Sequence, residues 1–313
     1  MFVLIRLLLC SILLLTSTAW GEKSQDAFRN KKQWFETFLK STDQKEVQKK
    51  AIIATLQKHP HLWSELKSPR LFSFLFIGAG SGAIEIPLLQ ELIAIRGSHN
   101  NLFVCCEDPS TQMKEEFMVS AARAGIVSII KKYDLNPFED SVYLPPQSNF
   151  VMASHAWYYI KNWRQVPMID NSLIKFAHTI HASGVGLITL QSCTSDRYNV
   201  LAEYANHHGS EFDVCGEEIC KELSHLGINY TVEIIESHTT LKSCFLNGEF
   251  NPQEEGKDLL SFILRAPWDE LAPEIQSLIR EKIISLVKIN GKEELVFRDC
   301  FIWVSPLTHL TQK

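Results

Sequence analysis

No stretch of this chain is strongly basic. Its 31 Lys and Arg are outnumbered by 36 Asp and Glu, which leaves a net charge of -5 at pH 7 and a pI near 6.1. Affinity for nucleic acid rests mainly on basic side chains that neutralise phosphates, so no nucleic-acid partner is expected. Neither a Cys-x-x-Cys pair nor a zinc-type spacing occurs, which argues against structural zinc and thioredoxin-like chemistry. His59, His61 and the His207-His208 pair read as surface residues, and no metal is expected. No Gly-Lys-Ser or Gly-Lys-Thr is present, so a Walker phosphate loop is excluded. From Glu22 onward no apolar run reaches the roughly 20 residues that cross a bilayer. Internal repeats and low-complexity tracts are also missing. What is there is 45% hydrophobic and 21% charged over 313 residues, the make-up of a globular protein with one large domain or one domain carrying an insertion.

The first residues are of another kind. "MFVLIRLLLCSILLLTSTAWGEKSQ" has one early charge, Arg6, then an apolar run from Leu7 to Leu15 and small residues around Ala19 and Gly21. That is the layout of a secretory signal peptide over residues 1–21, with an uncleaved anchor as the alternative. The expected location is secreted or periplasmic, or cytoplasmic if the leader does not function. Seven cysteines follow Cys10 (105, 106, 193, 215, 220, 244 and 300), an odd number at irregular spacing. Cys105-Cys106 and Cys300 lie in apolar runs, where cysteine behaves as a small hydrophobe. Such a pattern suits a thiol-containing intracellular enzyme and conflicts with the leader.

Residues 25–58 read as helix, with Trp34, Phe35 and Phe38 on an apolar stripe and a cap at Ser41-Thr42-Asp43 that opens a new helix, ended by His59-Pro60. "LFSFLFI", "NLFVCCE", "SNFVMAS" and "GVGLITLQS" read as buried strands. Helices are expected over Ala83–Ile95 and Ser110–Ala124, throughout "AWYYIKNWRQVPMIDNSLIKFAHTIHASG", and in "EEICKELSHLG". "NYTVEIIESHTTL" and "ELVFRDCFIWVSP" are long strand-like runs separated by a helical insertion at about 256–288. Alternation of strand and helix predicts an α/β fold with a mostly parallel sheet.

The first strand runs into "GAGSGAIEI", with Gly78, Gly80 and Gly82 at alternate positions and an acid inside the apolar stretch that follows. Clustered glycines indicate a tight turn or close approach to a ligand. In an open α/β sheet the first strand-to-helix turn is a preferred ligand site. Asp108, at the end of the second strand, can accept both ribose hydroxyls of a nucleoside, with Glu107 the adjacent alternative. Glycine turn plus acid is shared by NAD enzymes and S-adenosylmethionine (SAM) methyltransferases. The shorter turn and the paired strands at the tail favour the second.

From about Trp34 to Val304 the chain resembles histamine N-methyltransferase-like class I SAM-dependent methyltransferases. The residues that carry the likeness are "FLKSTD", "FIGAGSGAIEI", "EDPSTQ", "WYYIKNW", "LITLQS", "LGINYTVEIIESHTTLKSCFLNGE", "DLLSFIL" and "VFRDCFIWV". The resemblance implies a Rossmann-like seven-stranded, mostly parallel sheet with an antiparallel C-terminal hairpin. It implies a helical N-terminal lid over 22–68 and a methyltransferase domain over 69–306. It implies SAM as cofactor, held by Gly78, Gly80, Gly82, Asp108, Gln112 and Ser154. A small amine or imidazole-like acceptor would be held by Asp43, His155, Tyr158, Tyr159 and Asp299, with His155, Asp43 and Asp299 the candidate catalytic residues. At the three amine-binding positions the family's glutamate, glutamine and asparagine are here Asp43, His155 and Asp299. A monomer is expected. The aromatics Trp157, Tyr158, Tyr159 and Trp163 read either as core or, for the tyrosines, as a ring stacked beside the acceptor. Two other readings stay open: an O- or S-methyltransferase of a small molecule, and a non-catalytic SAM- or amine-binding protein on the same fold.

Overall fold

The computed structural model describes residues 32–140, 147–164, 167, 170–208 and 214–307. The expected leader, residues 1–21, lies outside them, as do residues 22–31.

Among the described residues three helices come first: α1 (Lys32–Ser41), α2 (Gln44–Gln57) and α3 (Pro60–Lys67). The break at Ser41–Asp43 falls where the sequence places it, although Asp43 makes no side-chain capping bond to α2. Pro60 begins a helix rather than only ending one, since its missing N–H costs nothing in a first turn. The alternating part follows: β1 (Phe72–Ile77), α4 (Glu85–Arg96), β2 (Leu102–Glu107), α5 (Thr111–Arg123), β3 (Ile130–Asp134), β4 (Ser148–Ser154), α6 (Ser172–His178), β5 (Ile180–Gln191), α7 (Asp196–His208) and α8 (Gly216–His225). The tail holds β6 (Tyr230–Thr240), a two-stranded turn of β7 (Phe245–Leu246) and β8 (Glu249–Phe250), helices α9 (Glu254–Leu264) and α10 (Pro273–Asn290), and β9 (Glu294–Val304).

The seven-stranded sheet has the order β3-β2-β1-β4-β5-β9-β6. β3, β2, β1, β4 and β5 pair in parallel, and β9 runs antiparallel to both β5 and β6. This is the expected Rossmann-like sheet with its antiparallel pair. The helical insertion is the connection between β6 and β9, split at Pro267 and Pro273 as the prolines predict.

Strand side chains alternate between faces, and the core divides accordingly. Phe72, Phe74 and Phe76 of β1 pack with Ile52, Leu56, Leu88, Leu89 and Phe117 of the helices on one face. Leu75 and Ile77 pack with Leu173, Phe176, Ile219 and Leu223 on the other. A third cluster joins Phe38 of α1 to the insertion, with Phe38 stacked 4.3 Å from Phe262 and 5.9 Å from Phe297.

Two readings of local structure are corrected. The stretch from Ala156 is not continuous helix: among its described residues the α-helix is Ser172–His178. Asn162 adopts a left-handed φ of 58°, and Asn171 caps α6 by accepting the N–H groups of Leu173 and Ile174, so the chain turns before the helix starts. Helix α7 had no sequence counterpart. Its polar composition, "DRYNVLAEYANHH", carries only a weak apolar stripe.

Candidate active site

The carboxyl ends of β1, β2, β4 and β5 open on one edge of the sheet. The strand order reverses between β1 and β4, which is where ligands bind in such sheets.

Gly78, Gly80 and Gly82 all have left-handed φ, 63°, 52° and 79°. Gly78 has a packing reason too. A Cβ there would stand 2.3 Å from the Ala156 side chain, whereas the space above Gly80 is open. The Gly80 N–H donates to Asp108 Oδ2 (2.9 Å), and the Ser110 N–H donates to Oδ1 (2.9 Å). Asp108 therefore braces the turn, and each oxygen keeps a further lone pair for a ligand. Burial pushes its carboxyl upward, against the pull of those two N–H groups. Glu107 belongs elsewhere. It lies on the α6 face near Lys175, its Oε2 has no hydrogen-bond partner among the described residues, and burial raises its pKa to about 7. Of the two acids, Asp108 is the one at the glycines. Gln112 stands in the first turn of α5 and donates to Glu116 (3.2 Å).

A second group lies where β4, β5 and β9 meet α2. His155 follows β4 with a left-handed φ of 53°, fixed by its N–H on Thr189 O (2.8 Å). Asp299 pairs in register with Gln191 and is buried. Its Oδ2 accepts from Gln44 Nε2 (2.9 Å) and Gln48 Nε2 (2.8 Å), and His155 Nε2 is 3.7 Å away. Burial opposes ionisation of Asp299; a protonated His155, the Gln48 amide and Lys45 pull the other way and draw the carboxyl below its usual value. Burial likewise lowers the His155 pKa, against the pull of Asp299. His155 Nδ1 faces Tyr158 Oη at 3.3 Å, and that oxygen also accepts the Gln191 N–H (3.1 Å). The Arg265 guanidinium sits 4.9 Å from the Tyr158 ring and 5.9 Å from that of Tyr159. Tyr159 is 51% exposed, whereas Trp157 and Trp163 are buried in the core.

His155, Asp299 and Tyr158 thus come together. Asp43 does not join them. It is exposed, and its Oδ1 accepts the His238 N–H (2.7 Å) while its own N–H donates to His238 O (3.2 Å). These bonds tie the start of α2 to β6. The residues that reach Asp299 are Gln44 and Gln48, which the sequence reading passed over together with Lys45, Glu85 and Arg197. Lys45 Nζ donates to Gln48 Oε1 (3.5 Å), and burial lowers its pKa while Glu85 and Asp299 pull it upward. Glu85, buried at the start of α4, is raised to about 7 by desolvation. Arg197 Nη1 donates to Gln191 Oε1 (2.9 Å). A signal for the glutamines was present. Gln44, Gln48 and Ile52 recur every four residues, so two amides occupy the stripe that α2 buries.

Three polar atoms on this same face are buried without a hydrogen-bond partner among the described residues: Ser154 Oγ, Thr189 Oγ1 and Gln191 Nε2. Ser154 and Thr189 are register partners at the ends of β4 and β5. Unpaired buried polar atoms are costly, and this group at a strand edge has bonds to offer to a ligand or to ordered water.

No protein-family model and no curated protein matches the chain. Solved structures do. The magnesium protoporphyrin IX methyltransferase of Synechocystis PCC 6803, with SAH bound, is 14% identical at a TM-score of 0.48, covering 69% of this chain and 93% of that one. The YcgJ protein of Bacillus subtilis is 13% identical at 0.45, covering 79% and 99%. A SAM-dependent methyltransferase of Thiobacillus denitrificans, in complex with S-adenosyl-L-homocysteine, is 14% identical at 0.42, covering 80% and 91%.

Proposed function

We propose that this protein is a SAM-dependent methyltransferase acting on a nitrogen of a small amine or imidazole-like acceptor. The observation that carries the reading is the placement of two sites on one sheet edge. The Asp108-braced glycine turn, open above Gly80, lies beside the buried His155–Asp299 group. The residues fit a nucleoside cofactor bearing a sulfonium. Asp108 has lone pairs for ribose hydroxyls, Gly80 admits close approach, and Ser154 and Thr189 have unused buried oxygens.

SAM bound there supplies a methyl group on a positively charged sulfur. The chain's own task is to hold a neutral nitrogen in line with it, since positioning accounts for much of the rate gain in such a transfer. Asp299 is ionised and attracts an amine that arrives as ammonium. His155, kept neutral by burial, takes the proton at Nε2 in place of the Gln48 amide hydrogen it accepts there, and Asp299 stabilises the imidazolium that results. Tyr158 orients the imidazole from its Nδ1 side.

Calorimetric titration with SAM and S-adenosylhomocysteine, followed by methyl-transfer assays over a panel of amines, tests this. Binding that is lost in Asp108→Ala, with transfer to an amine lost in His155→Ala, supports it. Absence of binding to the wild-type protein overturns it. Binding with transfer only to hydroxyl or thiol acceptors overturns the nitrogen assignment alone. Binding without transfer to any acceptor would leave the non-catalytic alternative.

A further inference from the structure

We infer that Cys193 and Cys215 are a built pair that closes into a disulfide under oxidising conditions and fastens the β5–α7 loop to the start of α8. The two thiol sulfurs and a carboxylate oxygen of Glu217 lie within 4.8 Å of one another. Cys193 is exposed and Cys215 is buried behind it. Both segments are tied to the first turn of α8. Glu217 Oε2 accepts the Cys193 N–H (2.9 Å), Glu217 Oε1 accepts the Ser192 hydroxyl (2.5 Å), and the Ser192 N–H donates to Arg298 O (2.8 Å). On the other side, the Cys215 N–H donates to Glu218 Oε2 (3.3 Å) at the start of α8. Forming the bond requires the two sulfurs to close from within 4.8 Å to about 2.05 Å.

Among the described residues no other two thiols meet a third ligating group in this way, although Cys220 and Cys300 lie near each other. Cys105 and Cys106 are adjacent in a strand and belong to opposite faces of the sheet. Cys244 is buried in the third cluster, among the insertion helices. Cys300 is buried in β9 against Gly216. A bound cation is the competing use of Cys193, Cys215 and Glu217. It is disfavoured because both Glu217 oxygens already accept donors, which a metal would have to displace. Burial also pushes the Cys215 thiol up to about 12. The same raised pKa slows disulfide formation without opposing it, because thiolate is the attacking species.

The oxidant is a small disulfide such as oxidised glutathione. Exposed Cys193 attacks it, forms a mixed disulfide and releases one small thiol. Cys215 then attacks the Cys193 sulfur and releases the second. The two protein thiols give up two electrons and two protons, and the small disulfide is reduced to two thiols. The cross-link would lock the loop that leads from Gln191 into α7, the helix that carries Arg197. It would also reconcile the leader with a largely thiol-bearing core.

The test is to incubate the folded protein with excess oxidised glutathione, block free thiols with N-ethylmaleimide before unfolding, and map the peptides by mass spectrometry. The expected result is a Cys193–Cys215 linked peptide, 2 Da lighter than the sum of its parts, abolished by dithiothreitol. Cys193→Ser, at an exposed position, should leave Cys215 free and the other thiols unchanged. A lasting glutathione adduct on Cys193, linkage to Cys220 or Cys300, or no reaction would overturn the proposal. Stoichiometric metal in the isolated protein that shields both thiols would also overturn it, in favour of a cation site.

Discussion

Gln48 Nε2 lies 2.9 Å from His155 Nε2 and, with its other hydrogen, 2.8 Å from Asp299 Oδ2. An ionised carboxylate only accepts hydrogen bonds, so the amide turns its NH2 end toward Asp299. His155 Nε2 must then accept from that same NH2. The imidazole is therefore neutral and carries its proton on Nδ1, toward Tyr158. One amide on the N-terminal segment thus sets the tautomer of the proposed base.

The pH dependence of stability should reflect this. The folded pKa of His155 lies below the ordinary value of about 6.5, mainly through burial. Just below pH 6.5 the unfolded chain then binds the extra proton more readily. The contribution of His155 is present above that pH and is lost as pH falls through the folded value. Thermal melts between pH 5 and 8 should show a decline on the acid side that is smaller in His155→Gln. In Gln48→Leu the imidazole loses the donor that requires it to be neutral. Its pKa, followed by NMR, should rise toward that of a direct pair with Asp299. An unmoved value would mean that the amide does not set the tautomer.

Glu107 acts in the opposite sense. Its folded pKa, about 7, stands above the ordinary 4.5 because burial penalises the charge. Between these two values the folded state holds a proton that the unfolded chain releases, so stability falls as pH rises through the window. Replacing the acid by a neutral isostere removes that loss. Glu107→Gln should be more stable than wild type at pH 8 by roughly 1–3 kcal/mol, with little difference at pH 4. Chemical denaturation at the two pH values measures it, and equal gains at both would refute the assignment.

Gly80 and Gly78 separate binding from folding. Both sit at positive φ, which costs a residue with a Cβ about 1 kcal/mol. Gly78→Ala also drives its methyl into Ala156, so it should unfold or distort the turn. Gly80→Ala meets no protein atom within 4 Å. It should melt within a few degrees of wild type yet bind S-adenosylhomocysteine at least tenfold more weakly, because its methyl fills the space a ligand needs. Unchanged affinity would place the ligand elsewhere.

The periodic parts of the chain were readable. Apolar runs located the buried strands, and the glycines and Asp108 located the turn, because strand burial and positive φ leave marks in local sequence. The long stretch after Ala156 misled, since its aromatics have helical spacing, but Trp157 and Trp163 pack from a turning segment capped at Asn171. Asp43 entered the site only through the family likeness, and in the structure its partner is the His238 N–H, far away in sequence. Which of two neighbours, Asp43 or Gln44, points inward depends on how α2 docks on β6, a tertiary matter. Asp43→Ala should accordingly cost under about 1 kcal/mol, the worth of one exposed hydrogen bond. It should leave any acceptor KM unchanged, and a raised KM would return Asp43 to the site.

Lys45 offers a test of how the proposed cofactor would be oriented. Its ammonium has three hydrogens, and the described residues give it one long bond, to Gln48. Burial disfavours its charge, while Glu85 and Asp299 lie near enough to support it without bonding it. An ammonium in that setting is suited to an incoming carboxylate, and the amino-acid end of SAM carries one. A charge-assisted hydrogen bond contributes about 1.5–3 kcal/mol, or roughly 10- to 100-fold in affinity. Lys45→Met should weaken S-adenosylhomocysteine by that factor. It should leave 5′-methylthioadenosine, which lacks the amino-acid end, bound as tightly as before. Equal losses for both ligands in calorimetry would show that Lys45 acts by holding Gln48 in place. A loss for neither would assign the ammonium to a carboxylate on the methyl acceptor.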